Sequence, residues 1–198
     1  SYSSGRGARA RPGALTLLRG GGLPSPGILE QRFRRSATRI HEMGRKPIDR
    51  RSLRMARGFI DRAWREYLDA REDLERLRCA DAVTHAQLAI ELSVKAIFLL
   101  LKGEYPKRHE FKEEEFEELL KNLPEEVGKY HNIPRVYLIS RFWAEMYTVS
   151  KYGLEKLGVD ADALFKKGEA ELAVEHAWEC YHAASAVLRW AERQAAQE

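Results

Sequence analysis

Cysteine is scarce in this 198-residue chain. Cys79 and Cys180 stand alone, with no CxxC pair and no histidine at ligand spacing. Their isolation excludes a disulfide framework, a zinc finger and thioredoxin-like exchange, and predicts a reducing, cytoplasmic setting. Amides are also few, six Asn and Gln in all, beside abundant Glu, Lys and Arg, a balance in keeping with a heat-adapted source. Long uninterrupted apolar runs are missing. Residues 14–18 are too short for the core of a signal peptide. Residues 81–101 are broken by His85, Gln87, Glu91 and Lys95, so no membrane partner is expected. The Gly20-Gly21-Gly22 run has neither a preceding strand nor a following Lys-Ser/Thr, which excludes a phosphate-binding glycine loop. His176 and His182, six apart, share a helix face poorly, and no ligand cluster is legible elsewhere, so no metal is expected.

What is present divides into two parts. Residues 1–51 carry twelve Lys or Arg against three acids, and the remainder 22 against 27. The overall charge of +4 therefore belongs to the front segment, and the basic pI does not argue that the body binds nucleic acid. Residues 1–23, rich in Gly, Arg and Ser without periodicity, read as linker. The printed chain opens on Ser1, and a translation start near Met43 is expected; a native peptide from residues 8–18 would refute it. Between Pro26 and Gly44, Leu29, Phe33, Ala37 and Ile40 recur at helical spacing among Arg32, Arg34, Arg35 and Arg39. That pattern predicts a basic helix over 26–43 that docks on the body, RNA or a partner, against the alternative of a solvated arm. The expected division is an extension over 1–48 and a helical domain over 49–198.

Within the body every periodic segment is helical. Ile60, Trp64, Tyr67, Leu74 and Leu77 predict a long amphipathic helix from Ser52 to about Leu77. Residues 78–81 read as a turn. Residues 81–101 are apolar nearly all round, the mark of a core helix, and Gly103 ends them. A loop, EYPKRHEF, leads to an acidic helix over 113–123, and a further helix is expected over 135–150. Residues 151–167 read as a loop with one short turn at 161–165. The last helix, about 169–195, carries a seam of Ala173, Ala177, Cys180, Ala184, Val187 and Ala191 that permits close helix approach. The fold class is all-α, an antiparallel up-and-down bundle of four or five helices.

Gln87, Glu91 and Lys95 lie four apart, so they form one polar stripe on the core helix. Buried polar groups need partners, from neighbouring elements, a second subunit or a ligand.

The stretch YLDAREDLERLRCADAVTHAQLAIELSVKAIFLLLKGEYPKRHEF resembles the first half of a HEPN domain (higher eukaryotes and prokaryotes nucleotide-binding). The positions that carry the likeness are Ala70, Asp73 and Leu74, then Ala86, Gln87, Ala89, Glu91, Lys95 and Ala96, then Gly103, Pro106 and His109. Arg141 and Tyr147 ahead of SKYG, and the Ala-rich closing helix, extend it over about 55–195. The resemblance implies a homodimeric helical bundle that uses no cofactor. Many members of the family are metal-independent ribonucleases with an Arg-x4–6-His motif at the dimer interface. There His moves a proton near neutral pH and Arg holds the phosphate.

This chain departs from that motif. No His follows Arg135 or Arg141 at the required spacing; the next is His176. Lys151 and Tyr152 stand where Arg-Tyr is expected, and Lys holds phosphate as a point charge rather than a fork. Arg78 and His85 match the letter of the motif at the wrong place. Three readings follow. The preferred one is a partner protein that binds a nucleotide, RNA or a minimal nucleotidyltransferase, as in toxin–antitoxin pairs. Arg141, Tyr147, Lys151 and Tyr152 would line its groove and Glu91 and Lys95 shape the floor, against an Arg141–Glu145 ion pair as the plain alternative. The second is a ribonuclease whose catalytic His is His109, working with Arg141, against His109 merely pinning its loop. The third is a non-enzymatic interaction module.

Overall fold

The computed structural model describes residues 48–197. The expected N-terminal extension, its helix over 26–43 and the start near Met43 lie outside the described residues. Eight α-helices follow within them: α1 (Arg50–Glu75), α2 (Cys79–Lys102), α3 (Glu113–Lys121), α4 (Glu125–Gly128), α5 (Ile133–Ala144), α6 (Met146–Tyr152), α7 (Ala161–Leu164) and α8 (Lys167–Ala195), with a 3-10 turn at Glu155–Leu157. Among the described residues the only strand-like pairing is an isolated antiparallel bridge between Leu154 and Val159. The architecture is the expected helical bundle, with α1, α2 and α8 as its long members.

Local chemistry sets the ends. Asp49 caps α1 by accepting from the Arg51 and Ser52 amides at 3.2 and 3.4 Å, which satisfies two orphan donors. Gly103 closes α2 in the left-handed conformation at φ 78°, where it carries no Cβ penalty. Asn132 caps α5 through the Arg135 amide at 3.0 Å, with Pro134 in the first turn.

α2 lies at the centre, against α1, α3, α5, α6, α7 and α8. By length and composition alone it could cross a bilayer, but 78% of its most apolar stretch is buried by the surrounding helices. Alanine makes that burial close: Ala56 and Ala70 of α1, Ala82, Ala86 and Ala89 of α2 and the seam of α8 are buried in one core. An aromatic ladder adds to the α1–α8 contact, with Trp64 5.1 Å from Tyr181 and Tyr67 5.3 Å from Trp178.

Three local expectations need correction. Leu77 is not a buried helical position; it sits at φ 58° in the turn after α1, 65% exposed. The single helix expected over 135–150 is two, α5 and α6, interrupted at Glu145. Lys151 and Tyr152 end α6 rather than opening a loop. Their placement at the helix end keeps Lys151 one turn from Tyr147.

Candidate functional site

Glu91 lies halfway along α2, 5% exposed. Its Oε1 accepts from Lys95 Nζ at 2.6 Å, one turn further on. Its Oε2 stands 2.7 Å from His109 Nδ1 and receives a longer contact from Gln87 Nε2 at 3.4 Å. The polar stripe is thus closed internally by Gln87 and Lys95 and externally by a histidine from the α2–α3 loop.

Two aromatic anchors bring that loop back. Tyr105 meets Phe59 edge-on at 5.2 Å, and Phe111, 1% exposed, stacks on Phe98 at 5.4 Å. Between them His109 folds over Glu91. The His109 ring lies 4.1 Å from that of Tyr147 at 19°, and Lys151 Nζ sits 3.9 Å from the Tyr147 centroid. An ammonium over a tyrosine face is a favourable cation–π contact. The result is a small stacked surface of imidazole, phenol and ammonium above a buried carboxylate.

Burial pushes the Glu91 carboxyl up, but hydrogen bonds from Lys95 and His109, with their charges, outweigh it and hold it below the ordinary carboxylate value. A carboxylate on Nδ1 fixes the orientation of the imidazole and leaves Nε2 as the nitrogen available to a ligand. The side chain is 52% exposed, so that nitrogen can be reached.

The structure therefore joins His109, Glu91, Lys95, Tyr147 and Lys151 in one connected group. Arg141 stands beside it. Its guanidinium donates to the Tyr137 hydroxyl at 3.0 Å and pairs with Glu110 at 3.4 Å, in place of the Glu145 pairing considered from sequence. Tyr152 projects from the end of α6, 62% exposed, and joins no contact with the others. Sequence reasoning missed Glu110 and Tyr137. Tyr137 carries a usable signal, four residues before Arg141 on one helix face; Glu110, across a loop, carries none.

The Arg78–His85 match resolves into an ion network. Arg78 Nε donates to Asp73 Oδ1 at 2.8 Å, His85 Nε2 lies 3.7 Å from Asp73 Oδ2, and His85 Nδ1 is 2.8 Å from Glu66 Oε2. With both residues facing carboxylates, the pair is not arranged as a phosphate clamp. The same region corrects the expectation that no ligand cluster forms: Glu66, Asp69 and His85 bring one ligand atom each within 4.8 Å of one another. Arg62 already engages Glu66 at 3.2 Å. His176 and His182 diverge as expected, His176 accepting from Trp143 Nε1 at 2.9 Å and His182 facing Trp178.

A central helix sheathed by antiparallel neighbours, with its polar stripe closed by a loop histidine, defines an all-α bundle of the HEPN type. The profile described as HEPN domain matches residues 56–194, and the chain belongs to that family. Among solved structures, TT1696 from Thermus thermophilus is similar in fold, with a TM-score of 0.52 and 22% identity over 67% of this chain and 97% of that one. No curated protein matches the sequence.

Proposed function

We propose that this HEPN protein binds a phosphate-bearing ligand, a nucleotide or RNA, at the surface of His109, Tyr147 and Lys151, with a degenerate form of the nuclease motif. The observation that carries the reading is the stack itself. Glu91 holds His109 from below, and the Tyr147 ring touches both the imidazole and the Lys151 ammonium, so the three groups belong to one surface. The ammonium, and the imidazole when it carries its second proton, donate to phosphate oxygens. Arg141 at the margin adds a guanidinium, and the exposed Tyr152 ring offers a face on which a base can stack. Calorimetric titration with ATP, GTP and a short RNA tests this. Binding that weakens about tenfold in Lys151→Ala supports it, and no heat with any ligand overturns it.

A second reading is favoured by one distance, the 2.7 Å between Glu91 and His109. An imidazole oriented by a buried carboxylate is equipped for general acid–base work, and a metal-independent ribonuclease with His109 as its displaced histidine uses that pair. Incubation with tRNA or mRNA decides it, since cleavage absent in wild type, or unchanged in His109→Ala, removes the idea.

The partner part of the proposal is a homodimer, with a minimal nucleotidyltransferase as the second protein. Leu138 and Phe142, one turn apart on α5 and 63% and 52% exposed, supply an apolar face for such contacts. Light scattering on wild type and Phe142→Glu tests it: a monomeric mass for the wild type refutes the dimer.

A further inference from the structure

A second basic site lies away from the His109 stack and shares no residue with it. His182, Ala186, Arg189 and Arg193 recur at helical spacing and form one face of α8. Alanine in the middle of that row leaves room. Opposite it stand Glu126 and Val127 of α4 and the turn residues Tyr130 and His131, and together they line an open cavity of about 300 Å³. That volume is at the lower end for small-ligand sites.

The charges around the cavity do not balance. Arg189 lines it and has no acidic partner among the described residues, in a body whose acids outnumber its bases. Glu126 lines the cavity too but is engaged by Arg193 at 2.6 Å, and Glu192, three residues beyond Arg189, is held by Arg57. Lys129 Nζ lies 5.7 Å from the Tyr130 ring and adds another cation at the rim. His131 makes no side-chain hydrogen bond among the described residues, and behind it the enclosed Nε2 of His182 has no partner. Burial, and then the charge of Arg189, press both imidazoles towards the neutral form. A guanidinium and two imidazoles that repel each other's charge are relieved by an anion.

We propose that this cavity binds a phosphate dianion, free or as the terminal phosphate of a small ligand, held by Arg189, His131 and Arg193. Arginine suits the task because its fork matches two phosphate oxygens. Tyr130, 75% exposed at the mouth, would rest against whatever the phosphate is attached to.

The test follows the histidine ring resonances of the full chain by NMR at constant pH and ionic strength. Inorganic phosphate, adenosine 5′-monophosphate and adenosine are titrated separately, with chloride as the ionic control. The expected result is saturable movement of the His131 and His182 signals with phosphate, weakened at least tenfold in Arg189→Gln. Arg189 is exposed, so that variant retains the fold. Equal affinity for phosphate and the monophosphate identifies free phosphate as the ligand. Tighter monophosphate binding that Tyr130→Ala abolishes identifies a phosphorylated small molecule. Either outcome supports the site. Movement matched by chloride, movement unchanged in Arg189→Gln, adenosine binding as well as its monophosphate, or phosphate moving His109 instead of His131 and His182 each overturns it.

Discussion

His109 Nδ1 and Glu91 Oε2 stand 2.7 Å apart, although the two residues are eighteen positions apart in the chain. Glu91 is also the counter-charge of Lys95, whose side chain is 13% exposed. Removing the carboxylate therefore strands a largely buried ammonium. Glu91→Ala should lower the free energy of unfolding by roughly 3 kcal/mol, as one-sided removal of a buried pair does. His109→Ala should cost only about 1 kcal/mol, because its ring is half open to water. Urea denaturation of both variants and the double variant checks this. The pair should be coupled by about 1 kcal/mol, and strictly additive losses would contradict the contact.

Acid should weaken the fold in two stages. His131, His176 and His182 all have folded values below the ordinary 6.5, with burial as the leading cause. The unfolded chain therefore takes up protons first, and their contribution is lost as pH falls below about 6.5. The Glu91 carboxyl has a folded value below the ordinary 4.5, so its contribution is complete above 4.5 and disappears as pH falls through the lowered value. Urea midpoints measured between pH 8 and pH 3 for wild type and His176→Gln test the upper stage. The gap between the two proteins should narrow as pH falls from 7 to 5, and a widening gap would reverse the assignment.

Two glycines with nearly the same φ should respond differently to alanine. Gly153 has φ 69° and Gly158 φ 64°, both in the left-handed half of the map. A Cβ on Gly153 would lie 2.1 Å from the Val159 carbonyl oxygen, whereas one on Gly158 meets nothing within 4 Å. Gly158→Ala should cost about 1 kcal/mol of conformational strain. Gly153→Ala must also break the Leu154–Val159 bridge, and a loss of roughly 3 kcal/mol is expected. Thermal unfolding of the two variants gives the comparison, and equal losses would show that the backbone clash is relieved without cost.

Thiol chemistry should separate the two cysteines. Cys180 is fully buried in the α8 seam, and burial pushes its thiol pKa up, away from the reactive thiolate. Cys79, partly exposed at the start of α2, should label in the native protein, while Cys180 should label only on unfolding. Two equally fast thiols by colorimetric titration would mean that the seam opens readily.

The long helices were legible because their signals are local. Ile60, Trp64, Tyr67 and Leu74 at helical spacing mark α1, a nearly continuous apolar run marks α2, an alanine seam marks α8, and Gly103 marks the end of α2, whatever the helices later pack against. The split between α5 and α6 was not legible, since residues 135–150 keep an unbroken apolar period through Glu145. Leu77 failed for a related reason. Its spacing fits the helix, but the chain must turn there to start α2 at Cys79, and that turn places the side chain in solvent.

For the site, the sequence by itself determined which chemistry is available. A Gln87–Glu91–Lys95 stripe on an apolar helix demands partners, and stripe, loop histidine, Tyr147 and Lys151 can each be named from spacing and family likeness. Only the tertiary structure decided who meets whom. Glu91 takes His109, Arg141 turns to Glu110 and Tyr137, Tyr152 stays in solvent, and Arg189 lines a cavity whose one acid, Glu126, is taken by Arg193. The physical reason is reach. Periodicity reports neighbours within one or two turns of a helix, whereas a hydrogen bond across eighteen residues depends on where Tyr105 and Phe111 pin the intervening loop.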